Sequence, residues 1–286
     1  MKPLPALAFS PWFALLVLLS CPQPAAAGGC SRPLQVPVGP VGLSVTVEGE
    51  QVGGAYPQLL RSLGRGQGCE FRFQHVPRAR LERMFELGEA DLIVPATRSE
   101  RRDQLGEFVP LIQSRAAAVS LRSSRAPVHS AAELLLRKEL RVVVVRGFDF
   151  GAPYQRLLEQ LREQGRLHQE ADVGTLLRAL QQGLADLAVL APTNVYGVAP
   201  PGGEVLDPHL RVEPLEDLPW REAGIYLSHK SLSAADRDLL RRMLQEAERS
   251  GEVWRALGLA YPPQALEGAM RPRPSVIRVT FRPRPF

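Results

Sequence analysis

The chain has 286 residues, 45% hydrophobic and 23% charged. These proportions exclude a disordered, collagen-like or disulfide-scaffold protein and suffice for one large domain or two lobes with cores of their own. Lys plus Arg number 35 against 30 Asp plus Glu, a net charge of +5 that invites a nucleic-acid or membrane reading. The excess is terminal: without Lys2 and the five arginines of residues 271–286, 29 basic residues face 30 acidic ones, so charge says little about the partner of the folded body.

Residues 1–27 have the three parts of a secretory signal peptide: Lys2, an apolar run from Leu4 to Leu19, and Ala25-Ala26-Ala27 before Gly28. Pro5 and Pro11 interrupt the run, against the unbroken span of about 20 apolar residues expected of a transmembrane anchor. Cleavage after Ala27 and a periplasmic location are therefore expected, with a lipoprotein box ending at Cys21 as the alternative. Export leaves Cys30 and Cys69, an even pair in an oxidising compartment, and the expectation is one disulfide between them rather than two buried thiols. His75 is the only nearby third ligand, so neither a metal nor any other cofactor is expected.

Strand-like and helical runs then alternate. Leu34–Val38 and Val41–Val47 read as strands, Tyr56–Leu63 as a helix, Phe71–Phe73 as the start of a strand, Arg78–Leu87 as a helix and Asp91–Pro95 as a short buried strand. A bridging strand is expected at Ala116–Leu121. The pattern repeats: a capping box at Ser130 to Glu133 opens a Leu-rich helix, followed by a strand at Arg141–Val145, helices at Gly151–Gln164 and Leu176–Gln182, and a strand at Asp186–Leu190. Arg211–Leu215 and a second bridging strand at Ala223–Ser228 follow. Ser233 caps a helix whose stripe of Leu239, Leu240, Met243, Leu244 and Ala247 continues to Trp254 and Leu257 and reads as core. Residues 271–286, with five Arg and four Pro, read as a disordered or extended tail. The order implies an α/β fold of two lobes joined by two hinge strands. Its units are 28–118 (first lobe), 119–222 (second lobe) and 223–270 (return to the first).

Three segments resemble the family 3 periplasmic solute-binding proteins, the amino-acid-type substrate-binding proteins of ABC transporters. Val52-Gly53-Gly54-Ala55-Tyr56-Pro57 is similar to the family's turn from first hairpin to first helix. Gly88-Glu89-Ala90-Asp91 followed by Ala96-Thr97 and Arg102 is similar to its Gly-x-x-Asp strand and Thr-x-x-x-x-Arg loop. Arg146-Gly147-Phe148-Asp149-Phe150-Gly151 stands where its second lobe has a Gly-rich strand-to-helix turn, and Gly183 to Asp186 echoes Gly-x-x-Asp. The resemblance covers about Leu34 to Leu257.

It implies the type II periplasmic-binding-protein-like fold and a small carboxylated, amino-acid-like solute held in the cleft between lobes for an ABC-type importer. In the family an arginine clamps the ligand carboxylate, and the match maps it onto Arg102, helped by Thr97 and backbone groups near Ala96; Arg98 and Arg101 are rivals. A guanidinium suits this task because it grips a carboxylate through two parallel charge-assisted hydrogen bonds. Arg78 falls where relatives place an aromatic over the ligand, and a cation there suits an acidic ligand. From the second lobe the expected contacts are Gly147, Phe148, Asp149 and Thr193. The family's acidic holder of the ligand ammonium is missing from Leu190-Ala191-Pro192-Thr193; either Asp149 replaces it or the ligand lacks an α-ammonium, and Asp149 reads equally as a helix cap. A permease or a membrane sensor is the implied partner, with the protein itself monomeric and neither membrane-spanning nor bound to nucleic acid. The alternative function is a sensory ligand-binding module delivering to a membrane receptor, and after it a dehydratase-like enzyme on the same fold; no nucleophile elbow, phosphate loop or metal spacing supports catalysis.

Overall fold

Apolar runs of period two and of helical period form the elements of the computed structural model, which describes residues 29–274. In chain order these are β1 (Leu34–Val38), β2 (Thr46–Glu48), β3 (Gln51–Gly53), α1 (Ala55–Gln67), β4 (Phe71–His75), α2 (Arg78–Leu87), β5 (Leu92–Thr97), α3 (Glu100–Asp103) and β6 (Gly106–Ser114). Then come β7 (Ala117–Leu121), α4 (Ala131–Leu136), β8 (Val142–Val145), α5 (Ala152–Glu163), β9 (Leu167–Glu170), α6 (Val173–Gln181), β10 (Leu187–Leu190) and β11 (Leu210–Pro214). The chain returns through β12 (Arg221–Ser228), α7 (Ala234–Arg249), α8 (Glu252–Ala260), α9 (Pro263–Leu266) and β13 (Met270–Pro272).

The strands form two main sheets and two strand pairs. The first main sheet has the antiparallel order β13-β6-β12-β5. Beside β5 lies the parallel pair β1-β4, where the Asp91 amide donates to the Gln35 carbonyl at 2.8 Å, and β2 pairs with β3. The second main sheet has the order β11-β7-β10-β8-β9, with β10, β8 and β9 parallel. All four residues of β8 and of β10 are buried, as continuous apolar strands covered on both faces must be. The chain leaves the first sheet through residues 115–116 and returns through residues 215–220.

The N-terminal segment is fastened three times. Cys30 and Cys69 form a disulfide with Cα atoms 4.8 Å apart. Ser31 donates its amide (2.9 Å) and hydroxyl (2.5 Å) to the Asp236 carboxylate. Arg32 grips Asp91 with two bonds of 2.7 Å. Asp91 also accepts the Gln35 amide at 2.7 Å, which shows what the first Gly-x-x-Asp aspartate does: it ties strand ends together. Its echo in the second lobe acts alike, Asp186 accepting the Arg141 amide at 2.8 Å and its Nε at 3.1 Å.

Several expectations are corrected. The proposed bridging strands β7 and β12 each lie within one sheet, and the crossings are the short segments just before them. The stripe continues as core to Trp254 and Leu257 as expected, but on two helices, since Gly251 with φ 74° stands between α7 and α8. The tail does not begin at Arg271: Arg271 and Pro272 pair with β6 from an edge, where a proline removes no ladder bond needed by a neighbour. Residues 275–286 and the signal-peptide and Cys21 assignments lie outside the described residues. The capping box is half formed: Ser130 Oγ accepts the Glu133 amide at 3.0 Å, but Glu133 reaches back to the amide of His129 rather than Ser130. Strand β6 escaped notice because Pro110 stands in its middle; it is tolerated beside a bulge, where the register with β12 shifts between Ala223 and Gly224.

Candidate ligand-binding cleft

The cleft wall on the first lobe is made by the start of α2 and by α3. Helical spacing puts Arg78 and Glu82 on one face of α2. Glu82 meets Arg102 of α3, its Oε1 accepting from Nη2 at 2.5 Å and its Oε2 from Nε at 3.2 Å. The third arm of Arg102, Nη1, donates to the Thr97 carbonyl at 3.0 Å at the end of β5. Beneath the guanidinium lies the Tyr226 ring, with centroid 6.0 Å from Arg102 Cζ. The Tyr226 hydroxyl accepts the Ser99 amide at 2.9 Å and donates to Asp103 Oδ1 at 2.8 Å, fixing the loop that carries Arg102. Burial, with Asp103 adding to it, pushes this phenol up to about 12.

The opposite wall is the turn between β8 and α5. Gly147, at φ 81°, makes a bend that other residues rarely adopt. It turns Phe148 toward the first lobe, where the ring centroid is 5.8 Å from Arg78 Cζ. Arg78 is open to solvent yet crowded by protein, which is how a side chain in a crevice sits. That crowding, with the neighbouring charge of Arg102, holds its pKa below the usual arginine range although Glu82 opposes the shift. Among the described residues Arg78 has no hydrogen bond or ion pair within 4 Å. Asp149 Oδ1 accepts the Gly151 amide at 2.7 Å and Gln155 Nε2 at 3.0 Å, so one carboxylate oxygen secures the turn at the start of α5.

At the cleft floor, Arg221 opens β12 with its Nη2 3.4 Å from the Arg98 carbonyl, and Gly151 packs so closely that a Cβ there would lie 2.5 Å from Arg221 Nη1. Among the described residues no group of three or more His, Cys, Asp or Glu could hold a metal ion, and no helix is long and apolar enough to cross a membrane.

Solved structures share this fold. A histidine kinase sensor domain with similarity to periplasmic binding proteins superposes with a TM-score of 0.60 at 15% identity, over 80% of this chain and 96% of that one. An amino acid ABC transporter substrate-binding protein of Streptococcus pneumoniae, bound to L-arginine, gives 0.61 at 17% identity over 80% and 94%. An ancestral amino-acid-binding protein described as a precursor of cyclohexadienyl dehydratase gives 0.61 at 12% over 80% and 95%. This chain has the two-lobe fold of periplasmic binding proteins. No family model and no curated protein matches its sequence.

Within that two-lobe fold the sequence-derived residues fall in two groups. Arg102 lies against Thr97 on the first lobe, and Phe148, in the turn that also carries Gly147 and Asp149, reaches Arg78. Ala96 is 4% exposed near the end of β5, opposite Gly224 of β12, so only its backbone could serve a ligand. Thr193 is buried at another junction, where its carbonyl accepts the Tyr261 hydroxyl at 2.9 Å and a Cβ on Gly42 would lie 2.0 Å from it. The rivals are spent elsewhere: Arg98 pairs with Asp103 at 3.0 Å and Arg101 pairs with Glu86. Sequence reasoning missed Glu82 and Arg221. Glu82 was within reach of it, standing four residues after Arg78 on the same helix face.

Proposed function

We propose that this protein is a periplasmic solute-binding protein that captures a small carboxylated, amino-acid-like solute between its two lobes and presents it to an ABC-type importer. The observation that carries this reading is the pair of arginines, 78 and 102, at the first-lobe wall of the cleft, facing Phe148 of the second lobe. The Arg78 guanidinium offers an anionic ligand directed donors, Arg102 offers its own once Glu82 moves off, and the Phe148 ring flanks the site from the other lobe. Contacts from both lobes exist together only when the lobes close, so a ligand shifts the population toward the closed form. The Cys30–Cys69 disulfide agrees with the exported, oxidising location assigned to residues 28 onward.

A sensory role, in which the closed form acts on a membrane receptor, is the second reading, favoured by the histidine kinase sensor domain among the structural neighbours. A thermal-shift screen of L-amino acids, dicarboxylates and other small carboxylates tests the binding function. A ligand at one hundred times its dissociation constant adds about 2.7 kcal/mol, a rise of roughly 5–10 °C for a protein of this size. Absence of any shift across the screen would refute the reading.

A further inference from the structure

The carboxylate-gripping edge of Arg102, formed by Nε and Nη2, is taken by Glu82, and Nη1 is taken by the Thr97 carbonyl. The Glu82 carboxylate therefore sits where the proposed ligand's carboxylate would be gripped, on Arg102 and one helical turn from Arg78. A latch between α2 and α3 does not require this arrangement, because Glu86, one turn further along α2, already pairs with Arg101, the residue before Arg102 on α3. The two pairs differ in setting. Arg101 is 72% exposed and its bond is a surface contact, whereas the Arg102 side chain is 12% exposed and lies on the Tyr226 ring. A half-sheltered guanidinium without a partner is costly, so whichever carboxylate is present will hold it.

We propose that Glu82 is a built-in surrogate ligand: its carboxylate occupies the Arg102 fork, a solute carboxylate binds by displacing it, and the exchange sets the affinity of the cleft. This inference rests on the reading of the cleft as a carboxylate site. Displacement replaces one charge-assisted pair by another, so much of the ligand's electrostatic gain is offset by the pair it breaks. Glu82 then swings toward Arg78, which has no ion pair among the described residues and can receive it.

The test is isothermal titration of the whole protein at pH 7 with L-glutamate, L-arginine and succinate, comparing wild type, Glu82→Gln and Glu86→Gln. For each probe that binds, Glu82→Gln is expected to bind about tenfold tighter, equivalent to about 1.4 kcal/mol, while Glu86→Gln matches wild type. The gain disappears when Arg102→Ala is added. Glu82→Asp, which keeps the charge but shortens the reach to Arg102, gains affinity in the same direction and guards against a folding defect peculiar to the Gln variant. Binding by Glu82→Gln alone would also support the proposal. Equal or weaker binding by both Glu82 variants, with wild type binding, would overturn it while leaving the carboxylate cleft intact. Failure of all three probes on every variant would overturn the carboxylate reading and the surrogate ligand with it.

Discussion

Replacing Asp91 with Asn removes a charge that the fold has buried and surrounded with donors. The carboxylate is 1% exposed and accepts two bonds of 2.7 Å from Arg32 and one of 2.7 Å from the Gln35 amide. Burial alone would raise its pKa, but the hydrogen bonds from Arg32, Ser231 and the Gln35 backbone outweigh burial and hold it below the usual carboxylate range. Breaking a fully buried pair costs about 3–5 kcal/mol. Arg32 is 42% exposed and its share is screened by water, so the expected loss is about 2–3 kcal/mol. The sign with pH follows from the depressed pKa. The stabilisation is complete above the unfolded carboxylate value near 3.9 and is lost as pH falls through the lower folded value. Urea unfolding of wild type and Asp91→Asn from pH 7 to pH 2.5 should therefore show a gap of about 2–3 kcal/mol that narrows only below about pH 4. A gap under 1 kcal/mol at pH 7, or one that stays constant into acid, would refute the assignment of Asp91 as a structural tie.

Other consequences follow from single contacts. The Tyr56 hydroxyl is buried with no hydrogen-bond partner among the described residues, so Tyr56→Phe should leave the stability read by calorimetry unchanged or raise it by about 1 kcal/mol at most. Reducing the disulfide, which closes a loop of 39 residues, should cost about 3–4 kcal/mol in the same urea assay with and without reductant. Gly151→Val places a branched side chain at φ 95° and against the Arg221 guanidinium, and should cost at least about 1–3 kcal/mol with weaker ligand binding, whereas Gly165→Ala, at a positive φ in open space, costs only the backbone strain.

Most of the architecture could be read from the sequence because it is written in periodicity. Leu34–Val38 and Arg78–Leu87 have the bounds expected of them, and the all-apolar runs of β8 and β10 could only be buried strands. What escaped was set by tertiary partners: Pro110 inside β6 depends on a bulge, β9 alternates weakly as an edge strand, and Arg271 is held by Gln113 at 2.7 Å and by stacking over Trp220 at 4.2 Å. Among the candidate site residues, Arg102 was singled out by a motif and Arg78 by position. Their state was not legible, because a local spacing shows neither that Glu82 fills the Arg102 fork nor that Phe148 covers Arg78. The same limit applied to Thr193, whose carbonyl belongs to Tyr261, 68 residues further along the chain.

The central claim, that the cleft arginines hold a solute's carboxylate, is tested most directly by titrating the strongest ligand of the thermal-shift screen into wild type and Arg102→Ala. The account predicts a loss of affinity of at least about tenfold, the worth of one charge-assisted contact, with the variant still unfolding cooperatively. Equal affinity in the two proteins would contradict it.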